Sequence, residues 1–108
     1  MTNELARQIL GNVEQSSLDS LRRQLLATAV RYARLRVEWQ LAGVNERAEL
    51  DVTRTAAHNA LIDACNILSR NMRKHDEDNQ WRAQLGDDRK VIGDWACFVH
   101  CELGVRAR

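Results

Sequence analysis

Apolar residues recur along most of the chain at the three- and four-residue steps of an amphipathic α-helix. No segment alternates apolar and polar residues between turn signals, as a surface strand would. The chain contains no proline and only five glycines, so few positions interrupt a helix. The pattern therefore predicts an all-α fold, and the length of 108 residues predicts a single domain over residues 1–108.

The apolar periodicity and the capping signals divide the chain into four main helices. Residues 76–86 form a polar connection before the last of them, with one helical turn predicted at Trp81–Leu85. Gly43 is predicted to end the second helix as its C′ residue. In chain order the helices are predicted to run from Asn3 to Glu14, from a cap at Ser16 or Ser17 to Leu41 or Ala42, from a cap at Asn45 to Lys74, and from a cap at Asp87 or Asp88 to Leu103 or Gly104.

The second and third helices are long for so small a domain. At 1.5 Å per residue each would span about 40 Å, and their short connection favours an antiparallel hairpin. Apolar residues cover well over half the circumference of the second helix, whereas a surface helix needs a stripe of only about 100°. The two shorter helices can cover part of that surface, and a second copy of the chain is the simplest partner for the rest. We therefore expect a helical bundle, with two long antiparallel helices and two shorter ones, that forms a homodimer.

Charged side chains interrupt the apolar faces of both long helices. Arg36 falls in the middle of the apolar arc of the second helix, and Arg54, with His58 one turn later, falls in the apolar sector of the third. A buried charge is costly unless it is paired, and Asp63 and Asp94 are the candidate partners. Structural ion pairs, a satisfied interfacial histidine, and arginine stems with solvated heads would explain these residues without a ligand. Our hypothesis is a buried polar cluster that fixes the helix register and holds a small anionic or polar ligand, formed by Arg36, Arg54, His58, Asp63, Arg70 and Asp94.

The segment WACFVHC, residues 95–101, brings two cysteines and a histidine within five residues. On a helix, Cys97 and Cys101 share a face with Asp94, while His100 lies to one side. A structural zinc site needs four ligands, usually gathered from separate turns or loops, and C-x-x-x-C is not the redox spacing. We therefore predict that both cysteines pack as small apolar groups between helices, with a metal site as the alternative.

The charge balance argues against polyanionic partners. The net charge is +1, with 14 Arg and 2 Lys against 15 acidic residues, and it provides no strong electric field. Arginines do share the outer face of the second helix, but Glu38 interrupts them and no helix-turn-helix is apparent. We therefore expect neither nucleic acid nor a membrane as a partner. Three cysteines, a polar N-terminal segment and the lack of an apolar run of about 18 residues predict a cytoplasmic protein with reduced thiols.

Two polar pairs on the third helix are similar to the acidic pairs of the all-α nucleoside triphosphate pyrophosphohydrolases. The pairs are Glu46-x-x-Glu49 and Asp63-x-x-Asn66, where that family has E-x-x-E followed by E-x-x-D. The resemblance implies Mg²⁺ held by carboxylates of two adjacent helices. In this chain both pairs fall on one predicted helix, so Glu49 and Asp63 would lie about 21 Å apart along its axis, too far to share an ion. Such an enzyme is therefore the alternative hypothesis, and we expect no metal or cofactor.

The segment RTAAHNALIDACNILSRNM, followed by DDRKVIGDWA, resembles a small family of uncharacterised all-helical bacterial proteins. The resemblance covers residues 54–96 and implies a recurring helical domain without a particular activity. It directs attention to the polar positions Arg54, His58, Asp63, Asn66, Arg70, Arg89 and Asp94. The preferred hypothesis is a non-catalytic binding or regulatory module, whose partners are a second copy of the chain, a small polar ligand or another protein.

Overall fold

The computed structural model describes all residues from 1 to 108. It contains five α-helices and no strand, so the all-α prediction is confirmed. The helices are α1 (Asn3–Glu14), α2 (Asp19–Leu41), α3 (Val44–Lys74), α4 (Gln80–Leu85) and α5 (Arg89–Arg106). The short helix α4 is the single turn predicted within the polar connection. None of the five helices combines the length and the apolarity that a bilayer span needs.

Two helix ends that depend on local chemistry fall where the sequence predicts them. α1 spans the predicted residues, and Thr2 caps it because its Oγ1 accepts a hydrogen bond from the Leu5 amide at 3.1 Å. The Asp88 carboxylate caps α5 by accepting from the amides of Lys90 and Val91, at 2.9 and 3.1 Å. Both caps satisfy amides that have no partner within their own helix.

The junction between α2 and α3 differs from its prediction. Asn45 does not cap α3, since the helix begins at Val44 and Gly43 is its N-cap residue. Gly43 has φ −71° and ψ 168°, an extended conformation rather than the left-handed one of a C′ glycine. The carbonyl of Gly43 accepts from the Arg47 amide at 2.9 Å, so the hydrogen bonds of α3 begin earlier than the sequence predicts.

The last helix is longer than predicted. α5 continues through Gly104 to Arg106, although the sequence predicts its end at Leu103 or Gly104. A glycine inside a helix costs only about 1 kcal/mol relative to alanine. The Arg106 guanidinium also forms a bidentate ion pair with Glu14, at 2.6 and 3.1 Å, which holds the last turn of α5 against the end of α1.

The serines of the first connection bind Glu77, which follows α3, instead of capping α2. The N-cap residue of α2 is Leu18, which makes no side-chain capping bond. The hydroxyl groups of Ser16 and Ser17 each donate to the Glu77 carboxylate at 2.7 Å, and the Ser17 amide donates to it at 2.9 Å. These bonds, led by that from the Ser17 hydroxyl, lower the pKa of Glu77 to about 2. The carboxylate thereby ties the α1–α2 connection to the end of α3.

The hydrophobic core occupies one part of a molecule that measures 47 × 28 × 23 Å. α1, α4 and α5 pack there against one another and against the α2–α3 pair, and every helix contributes buried side chains. No residue between Ala33 and Ala57 is buried. The largest fully buried side chains are Ile9, Leu10, Val13, Leu25, Leu61, Leu68, Met72, Trp81, Leu85, Ile92, Trp95 and Val99.

The broad apolar surface of α2 is covered mainly within the chain. α3 packs on one side of this helix and α5 on another, and between them they bury Leu25, Ala29 and Ala33. The sequence predicts that the shorter helices cover part of this surface and a second copy the rest. α5 is the shorter helix that provides the cover, and only Val37 and Leu41, near the C-terminal end of α2, remain as exposed large apolar residues on the helix.

Candidate functional site

The connected ends of α2 and α3 contain no core residue. Only Ala42 and Gly43 separate the two helices, and residues 34–56, which we call the tip, include no buried side chain. Four large apolar side chains of the tip have exposed fractions between 47% and 84%: Val37, Leu41, Val44 and Val52. Val37 and Leu41 lie four residues apart on α2, and Val44 and Val52 lie eight residues apart on α3. We call these four exposed residues the apolar tip face.

Between the two helices of the tip, Trp39 of α2 lies against two arginines of α3. The guanidinium carbons of Arg47 and Arg54 lie 4.5 and 4.1 Å from the centroid of the indole ring, within the range of a cation–π contact. Arg47 also donates to the carbonyl oxygens of Trp39 and Gln40, both at 3.0 Å. Arg47 thus satisfies carbonyl groups at the end of α2, a task that the sequence analysis gave to Gly43.

Arg54 is paired within its own helix. Its NH2 group lies 3.0 Å from Oδ1 of Asp51, one turn earlier on α3. The charge pattern of the sequence predicts Asp63 and Asp94 as partners of the arginines on the apolar faces, and for Arg54 this prediction is wrong. Asp51 is only three residues away, so this pair forms without any contact between helices.

His58 lies one turn beyond Arg54 and packs on α2. Its ring meets the Tyr32 ring edge-on, with the centroids 5.5 Å apart and an interplanar angle of 64°. Its Nδ1 atom lies 3.4 Å from Oδ1 of Asn59, while its Nε2 atom has no partner. We use the name arginine seam for the five residues between α2 and α3: Tyr32, Trp39, Arg47, Arg54 and His58.

The arginine seam contains every buried side-chain nitrogen or oxygen of the chain that lacks a hydrogen-bond partner. These atoms are Trp39 Nε1, Arg54 Nε and His58 Nε2. A buried polar group without a partner costs about 1–3 kcal/mol, and native proteins satisfy nearly all of them. The concentration of three such atoms in one place makes the seam the candidate site.

Two residues of the seam, Arg54 and His58, are predicted from the sequence as ligand residues, whereas Trp39 and Arg47 are not. A signal for them exists in the spacing. Arg47 and Arg54 are seven residues apart and therefore share a face of α3, and Trp39 is seven residues from Tyr32 on α2. Nothing in the sequence, however, indicates that these two faces oppose each other.

Arg36 and Asp94 form the ion pair that the sequence predicts, between α2 and α5. The NH1 atom of Arg36 lies 3.0 Å from Oδ1 of Asp94 and 3.7 Å from the Cys97 sulfur. Burial acts to lower the pKa of Arg36, but hydrogen bonds to Asp94 and Cys97 outweigh it and leave the pKa above its ordinary value. The guanidinium packs on Gly93, where a Cβ atom would lie 3.0 Å from Cζ of Arg36. The pair therefore sets the position of α5 on α2.

Asp63 and Arg70 belong neither to the arginine seam nor to the Arg36–Asp94 ion pair. Both side chains are exposed, and both line an open groove of about 510 Å³ along the C-terminal half of α3. The prediction of one buried cluster that contains all six polar residues is therefore wrong. At this level α3 turns Leu61, Cys65 and Leu68 into the core, and the opposite side of the helix faces solvent.

The cysteines of α5 occupy different environments. Cys97 is half-buried beside Arg36, whereas Cys101 is exposed, so the packing prediction is wrong for Cys101. An apolar cleft of about 320 Å³ lies between α2 and α5 at this level and leaves Cys101 uncovered. The third cysteine, Cys65, is buried, and burial raises the pKa of its thiol to about 12.

The acidic pairs of the sequence lie on one helix. Glu46, Glu49, Asp63 and Asn66 all belong to α3, which runs without a break from Val44 to Lys74. The second helix that would complete a shared metal site carries no matching pair. No three or more His, Cys, Asp or Glu side chains in the chain are arranged to hold a metal ion together.

The chain matches no family model, and comparisons with curated proteins and with solved structures find no match. The resemblance of residues 54–96 to a family of helical bacterial proteins therefore stays a prediction.

Proposed function

We propose that the chain is a non-catalytic binding module that associates with a second copy of itself through the tip. In this arrangement α2 and α3 form an antiparallel hairpin, and two hairpins pack as a bundle of four helices. The order of the contacts supports the hairpin. Trp39 near the connection meets Arg47 and Arg54, and Tyr32, further back on α2, meets His58, further along α3.

The absence of buried side chains in the tip is the observation that carries the proposal. Helices in proteins are stabilised mainly by the burial of one face, and no side chain of the tip is fully buried. Covering a valine or leucine side chain contributes about 1.5–3 kcal/mol. In a twofold dimer each residue of the apolar tip face is buried once in each copy, so the gain is doubled.

The size and the charge of the tip fit a second copy. The tip contains 23 residues, within the 20–30 residues that each partner contributes to a stable interface of ordinary size. Its charges cancel, so two copies can approach without net repulsion. The four positive and four negative side chains are Arg34, Arg36, Arg47, Arg54, Glu38, Glu46, Glu49 and Asp51.

The six polar residues of the sequence analysis take separate roles in this proposal. Arg36 and Asp94 hold α5 on α2 and thereby fix the register of the body from which the tip extends. Arg54 and His58 lie in the seam between α2 and α3. Asp63 and Arg70 remain free on the surface of α3, away from the tip. No feature of the chain favours the pyrophosphohydrolase alternative, because its polar pairs are spread along α3.

The molar mass in solution tests the proposal. At micromolar concentration, light scattering coupled to size-exclusion chromatography is expected to give twice the chain mass of 12.4 kDa. Val52→Glu, or Leu41→Glu, places a charge in the apolar tip face and is expected to reduce the mass to that of one chain. Circular dichroism checks that the helices persist in each variant.

Val105→Glu is the matched control. Val105 is also an exposed valine, but it lies in the last turn of α5, outside the tip. The control is expected to stay dimeric. A wild-type chain that is monomeric at these concentrations contradicts the proposal, and so does a dimer that survives both tip variants.

A further inference from the structure

The three unpartnered atoms of the arginine seam share one chemical property. The indole Nε1 and the guanidinium Nε can only donate a hydrogen bond, and Nε2 of histidine donates whenever it carries the proton. No carbonyl or carboxylate oxygen accepts from any of the three. Trp39 Nε1 and Arg54 Nε therefore lack an acceptor. His58 Nε2 joins them as a donor when the ring is an imidazolium, because Nδ1 then donates to Oδ1 of Asn59.

The charges around these atoms favour a negative acceptor over a neutral one. Arg47 and Arg54 both lie over Trp39, and Asp51 is the one carboxylate paired with either. The Arg47 guanidinium is bound by backbone carbonyl groups, which leave its charge uncompensated. A cation would be repelled here, whereas an anionic oxygen would receive charge-assisted hydrogen bonds.

We propose that the arginine seam binds a small oxyanion of the carboxylate or phosphate class, which accepts hydrogen bonds from Trp39 Nε1, Arg54 Nε and His58 Nε2. Each of the three residues is half-buried and lies outside the core, although the three nitrogen atoms themselves are covered. The edge of the Tyr32 ring against His58 holds the imidazole in place. All the donors come from one chain, so the site does not depend on self-association.

The indole N–H signals in a ¹H–¹⁵N NMR spectrum test the site directly. Of the three tryptophans, Trp81 donates to the Met72 sulfur at 3.3 Å and Trp95 donates to the Ala6 carbonyl at 3.2 Å. These two signals serve as internal references, and Trp39→Phe assigns the third. Acetate and, separately, inorganic phosphate are added at constant ionic strength, with chloride as the balancing salt. The Trp39 signal alone is expected to shift and to saturate with one or both anions.

Variants of Arg54 separate the hydrogen bond from the charge. Arg54→Lys keeps the charge but removes the Nε–H group, and it is expected to weaken binding about tenfold or more. Arg34→Gln is the matched control, since Arg34 is an exposed arginine of the same tip without an ion pair, and binding is expected to persist. His58→Phe keeps the ring against Tyr32 but removes a donor, and it is expected to weaken binding as well.

Several outcomes would overturn the site. A shift that never saturates, one that moves all three indole signals together, or equal binding by wild type and Arg54→Lys would each do so. The same titration of the Val52→Glu variant separates this inference from the proposed dimer. If the Trp39 signal still shifts in the monomeric variant, the anion site lies within a single chain. If the shift is lost in that variant, the single-chain site is refuted.

Discussion

Gly93→Ala sets two opposing effects against each other at the contact between α5 and Arg36. Alanine favours a helix interior over glycine by about 0.8–1.0 kcal/mol. The added Cβ would, however, lie 3.0 Å from Cζ and NH1 of Arg36 and 3.2 Å from its Nε. Favourable contacts between such atoms require about 3.5–4.0 Å, so the guanidinium has to move by several tenths of an ångström. That movement disturbs its 3.0 Å contact with Asp94.

The size of each effect decides the expected result. The side chains of Arg36 and Asp94 are 21% and 42% exposed, and pairs so close to solvent contribute only about 0.2–1 kcal/mol. The free energy lost from the Arg36–Asp94 pair is therefore similar to the free energy gained from the higher helix propensity of alanine. In the wild-type background Gly93→Ala is expected to change the free energy of unfolding by less than about 0.5 kcal/mol. In the Arg36→Ala background the obstruction is absent, and the same change is expected to stabilise by about 1 kcal/mol.

A double-mutant cycle measures the difference between the two backgrounds. Urea unfolding followed by circular dichroism gives the four free energies, and a coupling of about 0.5–1 kcal/mol is expected. Gly104→Ala is the control on the same helix, because no atom lies within 4 Å of its added Cβ. It is expected to stabilise both backgrounds alike. An equal effect of Gly93→Ala in both backgrounds would refute the packing of Arg36 on Gly93.

Two further predictions concern contacts between segments. The pKa of Glu77 is lowered from 4.5 to about 2 on folding, so its carboxylate favours the folded state above the ordinary pKa and loses this contribution as pH falls towards 2. Glu77→Gln is therefore expected to lower the Tm at neutral pH. The difference in Tm between wild type and variant is expected to become smaller as the pH falls towards 2. A difference that does not depend on pH contradicts the role of Glu77 as the acceptor of bonds from Ser16 and Ser17. Arg47→Ala is expected to lower the free energy of unfolding by about 1–2 kcal/mol, because it removes the contact with Trp39 and two bonds to the end of α2. Arg34→Ala, at an exposed position, is expected to cost less than about 0.5 kcal/mol, and equal losses in urea unfolding would contradict the role of Arg47.

Contacts that depend on nearby residues were accessible to sequence reasoning. The Asp88 cap needs only the amides of the following turn, and the span of α1 follows from its periodicity. The pair of Arg36 with Asp94 was also accessible, because Arg36 interrupts an otherwise apolar helix face and needs an opposite charge. Which acid meets Arg54 was not accessible, since Asp51 offered a partner on the same helix that the charge argument did not consider.

The candidate site contains both residues that the sequence predicts and residues that it does not. The residues Arg54 and His58 follow from their place in the apolar sector of a predicted helix. Their neighbour Trp39 does not, because the sequence indicates which face of α2 it occupies but not which face of α3 lies opposite. The position of α5 on α2 could not be predicted either, for the same reason. The sequence predicts that the shorter helices cover part of α2 but not which part, and α5 leaves Val37 and Leu41 of the tip uncovered.

The amino-acid sequence by itself determined the helical fold and the approximate extent of the long helices. These properties depend on periodicity, capping and the scarcity of breakers, all of which act within a few turns. Only the tertiary structure decided where the core lies, that Ser16 and Ser17 bind Glu77, and that the three buried side-chain nitrogen atoms without a partner belong to one seam. Those features depend on how the helices rotate and cross, and that arrangement is set by the packing of all five helices together.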